Sequence, residues 1–335
     1  MRFSRYFENW LYGDSGYYSQ YKQIGKGGDF YTAVSSSKFF GGSIGKRVVE
    51  TIKSGFLKEN TTVVEIGAHH GYLLADMIEF IFTLEPKLIG SLKFAIVERY
   101  PHLREKQKEY FYKCFGNDIK LIHYNDINEV NLNSAFVVAN EIFDAFSCDL
   151  VYTKQNKLQY GVVEDDKIVF KDCDDEALLS HCVKYSIEKG EVAVGYEEFA
   201  ASLAKNIKKF EFVTFDYGEK YPRNDFSCRV YSKHKVYPIF DEELKLKEMF
   251  GKSDITYDVH FDHLIDSFKK VGVENIIYET QLKALVNFGI IDLLEILHKN
   301  VEESVYLRET NKVKTLLNPT GMGDRFKMAC FRKEG

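Results

Sequence analysis

The feature that most constrains the fold is an apolar run that ends in glycine and is followed by an amphipathic segment. Residues 61–66 are largely β-branched, and the run stops at Gly67. Residues 72–82 then place apolar side chains at a helical period. This pattern predicts a strand, a tight turn and a helix, which together form the first repeat of an open α/β sheet.

The same alternation continues along the chain. Apolar runs at 93–98 and 134–140 are apolar on both faces, as expected for parallel strands that helices cover on both sides. Further strands are predicted at 119–124, 211–218, 253–262, 273–279 and 325–332, and helices at 35–58, 101–114, 196–208, 262–272 and 280–317. We therefore predict an α/β fold with a doubly wound, mostly parallel sheet and helical additions.

The length of 335 residues suggests about two compact units or one elaborated domain. We divide the chain by sequence into three regions. The first is a helical and aromatic arm (1–60), in which residues 1–30 look loop-like. A core follows (61–235), with a β-hairpin insertion near 148–172, and residues 236–335 complete the sheet with an inserted helical region near 280–320.

Charge and cysteine content exclude several classes of protein. The formal net charge of −5, with the signs interspersed, gives no basic face for broad nucleic-acid binding. The six cysteines form no C-x-x-C, which favours free thiols in a reducing compartment. The first ten residues lack the apolar region of a signal peptide, and the apolar stretch 288–297 is interrupted by two carboxylates. We expect a soluble, cytoplasmic protein with no membrane span.

Two further motifs are rejected. The segment GGSIGKR at 41–47 has Arg47 where a P-loop needs Ser or Thr as a magnesium ligand. His260 and His263 have a metal-ligand spacing, but we predict a solvated polar face there and no metal site.

Ligands of open α/β sheets bind beyond the carboxyl ends of the strands. Gly67 and Gly71 permit a tight turn and an exposed helix N-terminus there. Glu98 follows Gly67 by 98 − 67 = 31 residues, whereas dinucleotide sites use about 20, and no G-x-G-x-x-G is present. A nucleoside without pyrophosphate fits better, and S-adenosylmethionine is the candidate: Glu65 would face its ammonium group, Glu98 its ribose and Asp126 its adenine amine. The alternative is that Gly67 merely turns the chain.

Several segments, in order over nearly the whole chain, resemble one family, the MidA-like class I S-adenosylmethionine-dependent methyltransferases, which are relatives of the mitochondrial complex I assembly arginine methyltransferase. The matching stretches are YGDSGYY (12–18), GDFYTA (28–33), FFGGSIG (39–45), VVEIGAHHG (63–71), VVANEIFDAF (137–146), FDYG (215–218), VYSKH (230–234), SDITYDVHF (253–261) and MGDRFKMA (322–329).

The resemblance implies a Rossmann-like, seven-stranded sheet, S-adenosylmethionine as methyl donor and methylation of a protein arginine. It also implies a protein partner, with a subunit of a respiratory complex as one candidate. We expect the aromatic N-terminal segment, with Tyr12, Tyr17 and Tyr18, to fold over the cleft so that Gly28 and Phe30 approach the cofactor.

The loop after the fourth strand supplies the candidate catalytic residues Asn140, Glu141 and Asp144. If this loop turns helically, Glu141 and Asp144 fall on one face and can align a guanidinium with the donor methyl. Asn140 would bond the amino end of the donor or the substrate. The alternative makes Asp144 a helix cap and Glu141 a surface charge. Asp216, at the end of the fifth strand, is a supporting partner or a cap.

The chain departs from the family pattern near the cofactor. Ala68 and His69 stand where the family has proline and glycine, and Val34 and Ser35 where it has Pro-Glu. Gly42 replaces a glutamate. Two alternatives therefore stay open: a non-catalytic assembly or binding factor with a decayed cofactor loop, and a methyltransferase that acts on another amine.

Overall fold

A computed structural model describes residues 1–19, 33–232 and 235–335. In chain order, its helices are α1 (Phe3–Tyr12), α2 (Ala33–Ser36), α3 (Lys38–Lys53), α4 (Tyr72–Leu84), α5 (Pro86–Ile89), α6 (Pro101–Phe115), α7 (Glu176–Tyr185), α8 (Tyr196–Asn206), α9 (Leu246–Met249), α10 (Phe261–Lys270), α11 (Gln281–Asn287), α12 (Ile290–Asn300) and α13 (Glu303–Leu317).

The strands are β1 (Thr62–Ile66), β2 (Lys93–Val97), β3 (Leu121–Tyr124), β4 (Leu132–Asn140), β5 (Cys148–Lys154), β6 (Lys157–Glu164), β7 (Lys167–Asp172), β8 (Lys189–Ala193), β9 (Ile207–Glu219), β10 (Arg229–Ser232), β11 (Lys235–Pro238), β12 (Asp254–Thr256), β13 (Val259–His260), β14 (Glu274–Thr280) and β15 (Phe326–Lys333).

The chain divides into two discontinuous compact units. We call the first the sheet unit; it comprises Tyr31–Glu141, Ala200–Asp216 and Phe268–Gly335. We call the second the aromatic unit; it comprises Met1–Phe30, Ile142–Phe199 and Tyr217–Ser267. The three regions predicted from the sequence are continuous segments of the chain, and they stay a prediction.

The sheet unit contains the predicted α/β sheet, with strand order β14-β15-β9-β4-β1-β2-β3. Strands β3, β2, β1, β4 and β9 run parallel to one another, whereas β14 is antiparallel to β15. The order changes direction at β1 and β4, which is the topological switch point where ligands of such sheets bind. The predicted mostly parallel sheet is confirmed. Seven strands lie in this order, and the short β13 pairs with β9 as an eighth strand.

Helices α3 and α4 pack closely against each other because α3 carries glycine on the contact face. A Cβ on Gly42 would lie 2.7 Å from the ring of Phe80, and one on Gly41 would lie 2.7 Å from Cβ of Asp76. Phe40, Ile44 and other buried side chains of α3 join the main core of this unit. The glutamate that the family carries at position 42 would collide with Phe80, so this departure is linked to local packing.

The aromatic unit holds two small sheets, with strand orders β7-β6-β5-β8 and β11-β10-β12. Its N-terminal helix is fixed by contacts far away in sequence: Trp10 Nε1 donates to the carbonyl of Ser253 at 2.7 Å, and Arg2 binds Asp149 through Nε (2.7 Å) and Nη2 (2.6 Å). The predicted hairpin near 148–172 is confirmed, since β5, β6 and β7 pair antiparallel in succession.

Three predictions about local structure were wrong. Residues 3–12 form helix α1 instead of a loop, because its four apolar side chains at helical spacing are buried. Residues 253–262 do not form one strand: β12 pairs with β10, whereas β13 pairs with β9. The helix predicted over 35–58 is interrupted at Ser37, whose side chain caps α3 by accepting from the N–H of Phe39.

Among the residues that the structure describes, no helix combines the length and the apolar composition needed to cross a bilayer. The segment 41–47 lies inside α3, and Arg47 binds buried Glu211 at 2.6 Å. Its Gly-Lys pair is therefore not part of a phosphate loop.

Candidate functional site

The loop between β1 and α4 takes the conformation that its glycines predict. Gly67 has φ +72° and is exposed, although the residues on either side of it are buried. His69 has φ +46°, so it occupies the left-handed region that the family fills with glycine. Gly71 (φ +78°) caps α4, and a Cβ there would lie 3.0 Å from the ring of Phe111.

Glu65 lies at the end of β1 but is directed toward α4. Its Oε2 accepts from the N–H of Leu74 at 3.0 Å, and the side chain is 4% exposed. Burial, with smaller contributions from Asp76 and Glu98, raises the pKa of Glu65 to about 8. The hydrogen bond from Leu74 ties Glu65 to the start of α4, and its role toward an ammonium group stays a prediction.

Glu98 lies at the carboxyl end of β2, directly beside β1. It is 6% exposed, and its Oε1 accepts from the N–H of Tyr100 at 3.0 Å. Burial raises the pKa of Glu98, whereas the bonds from Tyr100 and from the side chain of Gln107 lower it. A buried carboxylate at this strand end is the acceptor that a pair of ribose hydroxyls needs.

Asp126 follows β3 and is exposed. Its Oδ1 accepts from the N–H of Asn128 at 2.8 Å and so caps the short 3₁₀ turn Ile127–Glu129. Capping of the turn accounts for the position of the Asp126 side chain. The predicted role of Asp126 toward an adenine amine stays a prediction.

Asn140 and Glu141 lie where β4 ends. Asn140 Nδ2 donates to Glu141 Oε1 at 2.8 Å, and the same oxygen accepts from the N–H of Ala33 at 3.3 Å. Asn140 Oδ1 is buried and has no hydrogen-bond partner among the described residues. An unsatisfied buried acceptor costs about 1–3 kcal/mol, so this oxygen is suited to a ligand N–H.

The loop does not turn helically at Glu141, which has φ +53°. The 3₁₀ turn covers only Phe143–Ala145. The predicted arrangement of Glu141 and Asp144 on one helical face was therefore wrong: the two residues also belong to different compact units. Asp144 lies inside the turn and is no cap, so the alternative reading of this residue fails as well.

Asp144 is a buried carboxylate of the aromatic unit, with 5% of its surface exposed. The hydroxyl of Tyr217 donates to its Oδ2 and contacts Thr256 Oγ1 at 2.5 Å. Because a carboxylate only accepts, the single hydroxyl proton of Tyr217 belongs to the bond with Asp144. Arg229 lies over the ring of Tyr217, with Cζ 4.7 Å from the ring centroid.

Opposing effects set the charge of Asp144. Burial raises its pKa to about 6, while the hydrogen bond from Tyr217 and the positive charge of Arg229 limit the rise. Tyr217 and Arg229 therefore favour the ionised form of Asp144 although it is buried. A desolvated carboxylate interacts with a cation more strongly than one in water does.

Sequence reasoning missed Tyr217 as a functional residue, although the motif FDYG at 215–218 contains it. The hydroxyl is brought to Asp144 by β9, which continues to Glu219, one residue beyond the predicted strand 211–218. Asp216 therefore lies within the strand and not at its end. Asp216 is fully buried within the strand.

The prediction of a solvated polar face at the H-x-x-H motif was wrong for His263. This side chain is 2% exposed; its Nε2 lies 3.1 Å from Glu197 Oε1, and its ring centroid lies 4.4 Å from that of His181. Within the described ranges, no three His, Cys, Asp or Glu side chains come together as a metal site.

The N-terminal tyrosines pack as expected. Tyr17 is 1% exposed, the hydroxyl of Tyr12 donates to the carbonyl of Ala145 at 3.0 Å, and that of Tyr18 donates to Asp254. Gly28 and Phe30 lie outside the described residues. The approach of this segment to a cofactor stays a prediction.

Residues 43–278 match the model of a family described as "Putative S-adenosyl-L-methionine-dependent methyltransferase". The match covers more than two thirds of the chain. The chain belongs to this methyltransferase family.

Individual relatives of the methyltransferase are distant but cover most of its length. It is 24% identical to "Protein arginine methyltransferase NDUFAF7, mitochondrial" of Danio rerio, over 93% of this chain and 78% of that protein. The Homo sapiens protein of the same name is 25% identical over 93% of this chain and 75% of its own length. A crystal structure of a Burkholderia thailandensis protein bound to S-adenosyl-homocysteine has a TM-score of 0.84 and 23% identity, with coverage of 100% and 89%.

The residues of the methyltransferase fit the cofactor of its family. The exposed backbone at Gly67, the buried carboxylate of Glu98 and the unsatisfied Oδ1 of Asn140 lie at the carboxyl ends of parallel neighbouring strands. These groups match a nucleoside that carries an amino-acid tail. His69 adopts the left-handed conformation of the glycine it replaces, and Val34 packs against the core, so neither departure disrupts the fold.

Proposed function

We propose that this methyltransferase transfers a methyl group to the guanidinium of an arginine in a protein substrate. The names of the relatives from Danio rerio and Homo sapiens support arginine as the acceptor. The observation that carries the proposal is Asp144, a buried carboxylate that accepts a hydrogen bond from Tyr217 and is stabilised in its ionised form by the charge of Arg229.

Asp144 has the chemistry that guanidinium binding requires. A guanidinium presents two parallel N–H groups, and a carboxylate accepts both in one plane. Since Tyr217 donates to Oδ2 of Asp144, it also holds the plane of this carboxylate. The role of Asp144 is therefore to orient the acceptor nitrogen, while Tyr217 keeps the carboxylate in position.

The sheet unit supplies the groups for the donor. Glu98 would accept from the ribose hydroxyls, Asn140 Oδ1 from the ammonium group, and the backbone at Gly67 would line the methionine tail. When bound, S-adenosylmethionine supplies an electrophilic methyl group on a sulfonium. Because its transfer is an in-line displacement, the work of the protein is alignment and the exclusion of water.

We also propose a cytoplasmic location, in agreement with six cysteines that are all free thiols in the structure. A subunit of a respiratory complex is the partner that the family resemblance suggests. Cell fractionation with an antibody against the native chain tests the location, and recovery in another compartment would overturn it.

The function is tested in two steps. Calorimetry with S-adenosylmethionine establishes cofactor binding, and mass spectrometry compares methylated proteins from cells with and without the gene. We expect methylarginine at one or a few sites to disappear and to return when the wild-type gene is restored. Loss of a methyl group from another side chain or from a small amine would overturn arginine as the acceptor. A wild-type protein that binds no cofactor would be an assembly factor, and the whole proposal would fail.

A further inference from the structure

Two stretches of the chain, YGDSGYY at 12–18 and SDITYDVHF at 253–261, have no assigned role in binding a donor or selecting an acceptor. Both belong to the aromatic unit, which also contains Asp144. Side chains of the two stretches contact each other and the surroundings of this carboxylate. Their contacts therefore bear on how the acceptor is bound.

Tyr12 lies directly beside the turn that carries Asp144. Its hydroxyl donates to the carbonyl of Ala145 at 3.0 Å, and Ala145 follows Asp144 in the 3₁₀ turn Phe143–Ala145. The ring of Tyr12 stacks on the ring of Tyr18, with the centroids 5.7 Å apart and an interplanar angle of 25°. Both side chains are half-buried, so part of each stays accessible to solvent.

Tyr18 is fixed at its hydroxyl by a second buried carboxylate. The hydroxyl lies 3.2 Å from each carboxylate oxygen of Asp254, which is 1% exposed. Because a carboxylate only accepts, the hydroxyl proton of Tyr18 belongs to this bond. Tyr17 packs against the same ring in a T-shaped contact, with the centroids 5.1 Å apart. The ring of Tyr18 is therefore held by two contacts in addition to that with Tyr12.

Strand β12 connects Asp254 to the partners of Asp144. Asp254 and Thr256 are two residues apart in this strand, so their side chains point to the same face, about 7 Å apart along the strand. Thr256 Oγ1 lies 2.5 Å from the hydroxyl of Tyr217, which donates to Asp144. A closed ring of contacts therefore runs from Asp144 along the two stretches and back through Tyr217.

This ring of contacts combines buried carboxylates with aromatic rings, which is the combination that a guanidinium favours. A guanidinium is planar, is more weakly hydrated than an ammonium group and stacks on aromatic faces. The ammonium group of lysine is a compact, strongly hydrated charge. Asp144 by itself attracts either cation, whereas a flat aromatic surface beside it favours arginine. The stacked rings of Tyr12 and Tyr18 form such a surface.

We propose that Tyr12 and Tyr18 form an aromatic wall of the acceptor site, against which the guanidinium of the substrate arginine stacks while Asp144 binds its N–H groups. The two tyrosines determine the specificity for arginine, and Asp254 fixes the wall through the hydroxyl of Tyr18. This inference rests on the proposed role of Asp144 in binding the acceptor. It deepens that role by naming the groups that select arginine among amines.

The test is an NMR titration of two probes, N-acetyl-arginine amide and N-acetyl-lysine amide, with S-adenosylhomocysteine present. In wild type, the arginine probe should bind more tightly than the lysine probe. Its side-chain protons should shift upfield, because they lie over a tyrosine ring. A residue with only a structural role would not produce this shift.

Three variants give the pattern that the wall predicts. Tyr18→Leu should weaken the arginine probe about tenfold, remove most of the upfield shift and change the affinity for the lysine probe by less than about threefold. Tyr18→Phe keeps the ring, so its affinity for the arginine probe should stay within about threefold of wild type. Tyr221→Leu is the matched control, because Tyr221 is 71% exposed in the same unit, and it should bind both probes like wild type.

Asp144→Asn separates this inference from the proposal on which it rests. If this variant binds the arginine probe as tightly as wild type, the role of Asp144 is wrong. If Asp144→Asn weakens the arginine probe but Tyr18→Leu does not, only the role of the aromatic wall is wrong. A wild-type protein that binds neither probe would overturn both.

An equal loss for both probes in Tyr18→Leu would also overturn the inference, because it would make Tyr18 a purely structural residue. Tyr12→Leu covers the case in which Tyr18→Leu does not fold. It removes the other ring of the stacked pair, so the same difference between the two probes is expected.

Discussion

The carboxyl edge of the sheet unit and the surroundings of Asp144 are built in different ways. At the sheet edge, Glu98 binds the N–H of a residue two positions away, and Glu65 binds one nine positions away. In the aromatic unit, Tyr217 is 73 positions from Asp144 and 39 from Thr256. Glu98 and Glu65 are thus held by local hydrogen bonds at strand ends, whereas the surroundings of Asp144 are assembled from remote segments.

Contacts between neighbouring residues can be predicted from a sequence pattern, whereas contacts between remote segments cannot. Strand ends, tight turns and helix starts are local, so the candidate cofactor residues follow from a β-α alternation. Asp144 is identifiable as a carboxylate after β4, but the groups that set its charge and orientation come from elsewhere. If the two regions do bind donor and acceptor respectively, variants in each should affect different measurements.

The largest expected effect is that of Asp144→Asn. This variant removes the charge at nearly constant volume. The rate of methyl transfer should fall about 10²-fold, which corresponds to a loss of about 2.7 kcal/mol of transition-state stabilisation. The affinity for S-adenosylmethionine, measured by calorimetry, should stay within a few-fold, because the candidate cofactor residues belong to the sheet unit.

Asp166→Asn is the control, since Asp166 is an exposed carboxylate of the same aromatic unit. It should leave both measurements unchanged. Equal losses of cofactor affinity and of methyl transfer in Asp144→Asn would contradict the division of roles and make Asp144 a cofactor or structural residue.

Glu98→Ala should produce the converse result. Losing hydrogen bonds to a charged acceptor costs about 1.5–3 kcal/mol. The affinity for the cofactor, measured by calorimetry, should therefore fall about tenfold or more. At a saturating cofactor concentration, the rate of methyl transfer should largely recover. Glu109→Ala serves as the exposed control from the same unit, and an unchanged affinity in Glu98→Ala would refute the ribose assignment.

Tyr217→Phe should have the smallest effect and the most specific signature. The hydroxyl of Tyr217 lowers the pKa of Asp144, which burial raises to about 6. If ionised Asp144 binds the acceptor, wild-type activity falls as the pH drops through about 6. Removal of the hydroxyl raises this pKa further, so the acidic decline should begin at a higher pH, and at pH 8 the variant should be within a few-fold of wild type.

The measurement is the pH profile of kcat/KM. An acidic limb in the same place for wild type and Tyr217→Phe would show that Asp144 is not the titrating group. Absence of that limb in Asp144→Asn would support the assignment independently.

The predictions that held depend on periodicity and on turn chemistry. The run that ends at Gly67 and the helix that begins at Tyr72 were placed to within a residue, because φ values above zero at the two loop glycines agree with their residue type.

The predictions that failed involve competition between local and distant contacts. Residues 253–262 alternate like one strand, and their apolar side chains are buried, but Val259 pairs with β9 and Ile255 with β10. Likewise, the loop at Glu141 was expected to be helical, yet Glu141 adopts φ +53° and its side chain binds Ala33. No local pattern specifies which partner is chosen, because each partner lies more than 20 residues away.

By itself, the sequence determined the class of the fold, the order of its elements and the strand ends where a nucleoside cofactor would bind, since each of these depends on interactions within about ten residues. The tertiary structure alone decided which carboxyls are charged: Glu65 and Asp144 are both buried, but burial raises the pKa of Glu65 to about 8 and that of Asp144 only to about 6. The physical reason is that a pKa depends on desolvation and on every charge nearby. For Asp144 these include Tyr217 and Arg229, which only folding brings close.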